Sequence, residues 1–166
     1  MTVTIRPEGP ADAPAIAALV TAAFRDAPHS DGTEAAIVAR LRRDGGFLLS
    51  LVAEEAGAPV GHVSASPARI GGATGWACIA PLAVRPARQG RGIGGSLLRA
   101  ALGILRAAGG EGAVIVGDPG YYARFGFAAR DGLTAAGVPD AYVLALPFAD
   151  AKPRGEAEFH PAFGLG

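Results

Sequence analysis

The sequence predicts a mixed α/β (α+β) domain built on one central sheet. Its 166 residues, 50% of them hydrophobic, suffice for one sizeable core and leave little room for a second. Runs of strand period and helix period follow one another as strand, two helices, three strands, helix, strand, short helix and further strands. One unit, from CIAPLAV through a helix to AVIVG, has the strand–helix–strand form of a parallel crossover. Residues 1–166 therefore read as a single domain, with 152–166 as a partly ordered tail packing on it.

Thr2 to Arg6 alternates like an edge strand, and Pro7 to Pro10 ends it. Asp12 is placed to cap a helix whose Ile16, Leu19, Val20 and Phe24 fall on one stripe. Asp31, with Glu34 three positions on, resembles a capping box ahead of a second helix faced by Ile37, Val38 and Leu41. FLLSLVAEE and VGHVSASPARI, joined by a turn at Gly57 to Pro59, read as a hairpin, and WACIAPLAV as the central strand. Residues 92–107 return to helical spacing and are stopped by Gly109 and Gly110. AVIVG is short, apolar and β-branched, as a buried parallel strand requires. Asp118 and Pro119 supply a cap and a first helical residue for a short helix through Tyr122, while FGFAAR and AYVLALPF are expected as late strands.

No apolar stretch approaches the roughly 18 residues of a membrane span, and MTVTIRPEGP lacks a signal core, so a cytoplasmic protein is expected. A lone Cys78 excludes an intrachain disulfide and a multi-cysteine zinc site. His29, His62 and His160 show no ligand spacing, so no metal is expected. Fifteen basic residues balance fifteen acidic ones, which gives no reason to expect nucleic acid or an anionic membrane as partner. Between Glu55 and Glu111, however, there is no acidic residue, while Arg69, Arg85, Arg88, Arg91, Arg99 and Arg106 all fall there. Such segregation either focuses an anion or makes a solvated cationic face.

The centre of that interval is VRPARQGRGIGGSLL, residues 84–98. Gly90, Gly92 and Gly95 satisfy the dinucleotide pattern G-x-G-x-x-G, but Arg85 to Gln89 separate them from the strand, where that fold wants its first glycine in the turn itself. A P-loop fails for want of Lys-Ser or Lys-Thr after the glycines. A plain tight turn accounts for one or two glycines rather than four within Gly90 to Gly95. What remains is a glycine-rich entry to a helix, whose unpaired N–H groups and dipole suit a phosphate, with Arg88 and Arg91 as rim charges.

This stretch resembles the acetyl-coenzyme A loop of the GCN5-related N-acetyltransferases (GNAT), whose signature is Gln or Arg, two residues, Gly, one residue, then Gly or Ala; Gln89, Gly92 and Gly94 match it. GHVSASP, APLAV, GDPGYYARFGF and PAFG are similar to a bacterial subgroup of that superfamily with mostly unassigned substrates. The resemblance implies a twisted, mostly antiparallel central sheet with a splayed parallel strand pair and flanking helices. It implies acetyl-CoA as cosubstrate, with the pyrophosphate on Gly90, Arg91, Gly92, Ile93, Gly94, Gly95 and Ser96 beside Gln89. The pantetheine arm would pair with backbone groups of Leu82, Ala83 and Val84, left free by Pro81, although an edge-strand proline would read the same.

It further implies N-acetyl transfer to a primary amine of a small molecule or peptide, directly within a ternary complex, and it admits a homodimer. Tyr122 falls where the family's tyrosine protonates the departing thiolate; packing beside Phe125 and Phe127 is the other reading. The family's frequent Asn seven residues ahead of it is here Ile115. The glutamate many relatives carry on the central strand is absent, leaving Cys78 as its only ionisable group, either a small core residue or a nucleophile. Glu34 is a candidate base or acceptor contact, or merely a helix cap; His29 is a second candidate for either role, or simply a solvated residue, and a backbone-held water is a further candidate base. Acceptor-binding loops would be Phe24 to Glu34 and Gly71 to Gly75. A non-catalytic acyl-CoA sensor and a protein- or RNA-interaction domain are the alternative functions.

Overall fold

A computed structural model describes residues 2–27 and 30–164. The chain forms β1 (Val3–Pro7), α1 (Ala13–Phe24), α2 (Glu34–Arg43), β2 (Leu49–Glu55), β3 (Ala58–Ile70), β4 (Ala73–Val84), α3 (Ile93–Ala107), β5 (Gly112–Val116), α4 (Pro119–Tyr122), β6 (Leu133–Ala135), β7 (Val143–Pro147) and β8 (Gly155–Glu158). The strands make one sheet in the order β1-β2-β3-β4-β5-β7, and β8 pairs with both β3 and β6. β1–β2, β2–β3 and β5–β7 are antiparallel, while β4–β5 is parallel. This is the mixed, mostly antiparallel sheet with one central parallel pair that the sequence predicts. Among the described residues no helix is long and apolar enough to cross a membrane.

The contacts divide the chain into two compact units. The first comprises Met1–Ala65 and Ala80–Ala101. Its core joins Ile16 and Val20 of α1, Val38 of α2, Val52 of β2 and Ala83 of β4, so the predicted apolar stripes of both helices do face inward. Neither predicted cap forms. The Asp12 carboxylate instead accepts from the Gly9 amide at 2.6 Å and from Arg6 at 2.7 and 3.0 Å. Pro14 offers it no N–H, and the guanidinium is the stronger donor. Asp31 turns onto the Thr33 amide and hydroxyl, so that α2 starts at Glu34 and the carboxylate of Glu34 accepts from Ser30.

The second unit comprises Ser66–Ile79 and Leu102–Gly166. α3 ends as expected, with Gly109 at φ +80° and the paired bonds Gly110 N to Leu105 O and Gly109 N to Arg106 O of a Schellman motif. β5 then pairs with β4 on one side and, along its whole length, with β7 on the other. FGFAAR does not make the expected strand. It contributes one isolated bridge, Ala128 to Ala145, because a 3-10 turn at Ala123–Phe125 and left-handed Gly126 interrupt it. β8 comes from the Gly- and Pro-rich tail and pairs with Arg69 and Ile70 of β3. Its approach relies on two glycines: a Cβ on Gly155 would lie 2.5 Å from the Gly71 Cα.

Candidate active site

The glycine-rich segment is tied to the sheet before it turns. The Arg85 amide donates to Val60 O at 2.8 Å, and a 3-10 turn at Pro86–Arg88 follows. The Gln89 side chain reaches back to the Val84 carbonyl at 3.1 Å, so this signature residue braces the loop and the Val84 carbonyl is not left free. Gly90 and Gly92 then take φ of +78° and +82°, where a side chain is strained, and open space surrounds the positions a Cβ would fill. Both are exposed.

α3 begins directly after Gly92. Its first intrahelical donor is the Ser96 amide, which meets Gly92 O at 3.0 Å, so the amides of Ile93, Gly94 and Gly95 precede any helical acceptor. The Ile93 side chain is buried and anchors the turn from beneath. The Ser96 hydroxyl also donates to Gly92 O at 3.0 Å, which keeps its lone pairs available to the solvent side. A bare, donor-rich turn with the positive end of a 15-residue helix behind it fits a diphosphate. The rim charge is smaller than expected. Arg88 is ion-paired to Glu55 at 2.8 Å, whereas the exposed Arg91 makes no ion pair among the described residues.

β4 changes character midway. Its parallel ladder with β5 runs only from Trp76↔Gly112 to Cys78↔Val114, although β5 continues to Val116 and β4 to Val84. The Ala80 carbonyl accepts instead from the Ser64 hydroxyl at 2.9 Å, and Pro81, after a cis peptide, brings no N–H. Leu82 and Val84 are half-buried and alternate with buried Pro81 and Ala83. Cys78 lies wholly inside, and burial pushes its thiol up to about 12.

In the second unit, Asp118 accepts from the Gly120 amide at 2.9 Å and caps α4 as predicted. Tyr122 closes this helix and packs edge-on to Tyr121 at 5.0 Å and to Phe127 at 6.1 Å. Gly117 makes room for it, since a Cβ there would fall 2.6 Å from the ring. Burial, reinforced by Tyr121 and Asp118, pushes the phenol up to about 12, so at neutral pH it carries its proton. Glu34, at the start of α2, accepts from the Ser30 hydroxyl at 2.7 Å. His29 lies outside the described residues.

One cluster escapes sequence reasoning. Arg42 grips Glu8 at 2.8 and 3.0 Å, the Ser50 hydroxyl donates to Glu8, and His62 Nε2 meets the Ser50 oxygen at 2.8 Å. His62 is fully buried and its Nδ1 has no hydrogen-bond partner among the described residues. The order differs from a hydrolytic triad, because the carboxylate holds the serine rather than orienting the imidazole. The signal was the alternation His62, Ser64, Ser66 on one buried face of β3. Among the described residues no group of three or more His, Cys, Asp or Glu could hold a metal ion.

Residues 14–127 match the Acetyltransferase (GNAT) family. The chain is 41% identical over 125 residues to the Escherichia coli (strain K12) protein named uncharacterized N-acetyltransferase YhbS, covering 74% of this chain and 72% of that one. It superposes with a TM-score of 0.87 on a GNAT family acetyltransferase from Brucella melitensis in complex with acetyl-CoA, at 45% identity and 98% coverage of both chains. The structure of Escherichia coli YhbS in complex with CoA gives the same TM-score at 34% identity, covering 98% of this chain and 92% of that one.

Proposed function

Because the chain belongs to the acetyltransferase (GNAT) family, we propose that it is an acetyl-CoA-dependent N-acetyltransferase that passes the acetyl group directly to a primary amine of a small molecule or peptide. The observation that carries this reading is the pair of left-handed, exposed glycines, Gly90 and Gly92, opening onto the uncapped first turn of α3. Bound acetyl-CoA in the Brucella melitensis relative and bound CoA in YhbS support it.

In this reading the amides from Gly90 to Gly95 hold the pyrophosphate, with Ser96 beside them and Arg91 as the charged side chain, while the backbone of Leu82 to Val84, apart from the Val84 carbonyl that Gln89 occupies, pairs with the pantetheine arm. The amine nitrogen attacks the acetyl carbonyl, the C–S bond of the tetrahedral adduct breaks, and Tyr122 gives its proton to the leaving sulfur. Glu34, or water, takes the proton that the amine loses. Direct transfer is favoured over an acetylated cysteine, because Cys78 is buried and its thiol is raised to about 12, leaving almost no thiolate.

A non-catalytic acyl-CoA sensor is the second reading, favoured by a β4 with no ionisable residue besides Cys78. Calorimetric titration of the purified, ligand-stripped protein with CoA, followed by thiol release from acetyl-CoA over a panel of amines, separates the two. Binding with thiol release supports the transferase, and tight binding without release under any amine supports the sensor. Absence of binding removes both.

A further inference from the structure

We infer that Ser64 is a positioning residue for the acyl donor: its buried hydroxyl fixes the β4 backbone at Ala80 and so sets the register in which Leu82 to Val84 meet the pantetheine arm. This rests on reading those residues as the arm-binding strand. A strand is normally held by its ladder on both edges, but the β4–β5 ladder ends at Cys78↔Val114. Beyond that point β4 keeps β3 as its neighbour, and two side chains add to that hold. Ser64 donates to Ala80 O at 2.9 Å and Gln89 donates to Val84 O at 3.1 Å, at the two ends of the same short stretch. Between them Pro81 contributes no N–H, and Ala83 is pinned in the core against Val52 and Val38.

Ser64 is completely buried between Val63 and Ala65, themselves buried and apolar. A hydroxyl in that setting stabilises the protein little unless it is paired, and its partner here is the carbonyl just past the end of the β4–β5 ladder. The bond has two consequences for a ligand. It holds the segment in place before binding, so the arm does not have to order it. It also occupies the Ala80 carbonyl, which directs the arm's amides further along, to the Leu82 backbone.

The test compares two ligands that share the nucleotide but differ in the arm: CoA, and adenosine 3′,5′-bisphosphate, which lacks the arm. Calorimetry on the intact protein should find that Ser64→Ala weakens CoA roughly tenfold, the size of one hydrogen bond's contribution, while the bisphosphate affinity stays within about twofold. Ser64→Cys, which keeps the size but donates weakly, should fall between, and it carries the same comparison if the alanine variant does not fold. Equal CoA affinity in folded wild type and Ser64→Ala overturns the inference, as does an equal loss for both ligands, which would mark a general structural role. Wild-type protein that binds no CoA sinks the proposed function itself, a result distinct from either.

Discussion

The His62 imidazole shares the Ser50 hydroxyl oxygen at 2.8 Å while that hydroxyl donates to Glu8, so the ring offers an Nε2 proton to Ser50. Burial pushes His62 down to about 4, with Glu8 pulling it up and Arg42 pushing it further down. A histidine depressed in the folded state contributes stability that is complete above its unfolded value, near 6.5, and that drains away as pH falls toward 4. The loss over that window is about 3 kcal/mol. Glu8 adds a loss of the same sign at lower pH: burial raises its carboxyl, but bonds from Arg42 and Ser50 outweigh that and hold it below its ordinary range. Urea midpoints of wild type should therefore decline between pH 6.5 and 4.5. His62→Gln should be less stable at neutral pH but flatter across the window, and equal slopes would clear His62 of the effect.

Two glycines that both touch the sheet should respond differently to alanine. At Gly112 a Cβ would meet Leu146 O at 2.6 Å and Trp76 Cζ3 at 2.5 Å, and neither the paired strand nor the buried indole can retreat. At Gly61 the tightest contact is Leu97 Cδ1 at 2.8 Å, the far end of a flexible side chain on α3. Gly112→Ala should cost more than about 3 kcal/mol, and Gly61→Ala about 1–2 kcal/mol. Denaturant titration of both variants gives the order, and a reversed order would show that β5 and β7 can part more easily than α3 can shift.

What the sequence revealed follows from how local each determinant is. The crossover from β4 to β5 was legible because a β-branched apolar run, a double-glycine stop and an Asp-Pro cap each act within a turn of their own position. Gly90 and Gly92 were legible for the same reason, since the loop's conformation is written in its own residues. Asp12 failed as a cap because its partner Arg6 arrives from β1, and Arg88 failed as a rim charge because Glu55 lies 33 positions away. β6 and β8 are too short to show a period, and only each other and the end of β3 make them strands. The Glu8, Arg42, Ser50 and His62 cluster draws on four separate segments, so the alternation at His62, Ser64 and Ser66 hints at a polar face of β3 but no spacing assembles the four residues.

Cys78 should prove chemically silent. Its thiol is enclosed and raised to about 12 by burial alone, so the thiolate fraction at neutral pH is on the order of one in 10⁵. Native protein should not react with a disulfide reagent on the timescale of minutes, whereas urea-unfolded protein should release one equivalent at once. Cys78→Ala should retain thiol-release activity within about twofold, with a stability loss of roughly 1 kcal/mol for the vacated sulfur. Loss of turnover in a folded Cys78→Ala, with trapping of an acetylated wild-type enzyme, would instead require a two-step transfer through this residue.

Tyr122→Phe isolates one hydroxyl. The ring keeps its edge contacts with Tyr121 and Phe127 and its seat against Gly117, and the lost oxygen makes no hydrogen bond among the described residues. Stability should accordingly change by less than about 1 kcal/mol. If Tyr122 delivers the proton to sulfur, kcat should fall by roughly 10² while the calorimetric affinity for acetyl-CoA stays unchanged, since the hydroxyl is used only as the C–S bond breaks. The pH profile adds an independent sign. With the phenol pushed up to about 12, wild-type rate should show no loss from tyrosine ionisation up to about pH 10, and any fall below that belongs to another group. Full turnover in Tyr122→Phe would leave Tyr122 as a packing residue and return the leaving thiolate's proton to water.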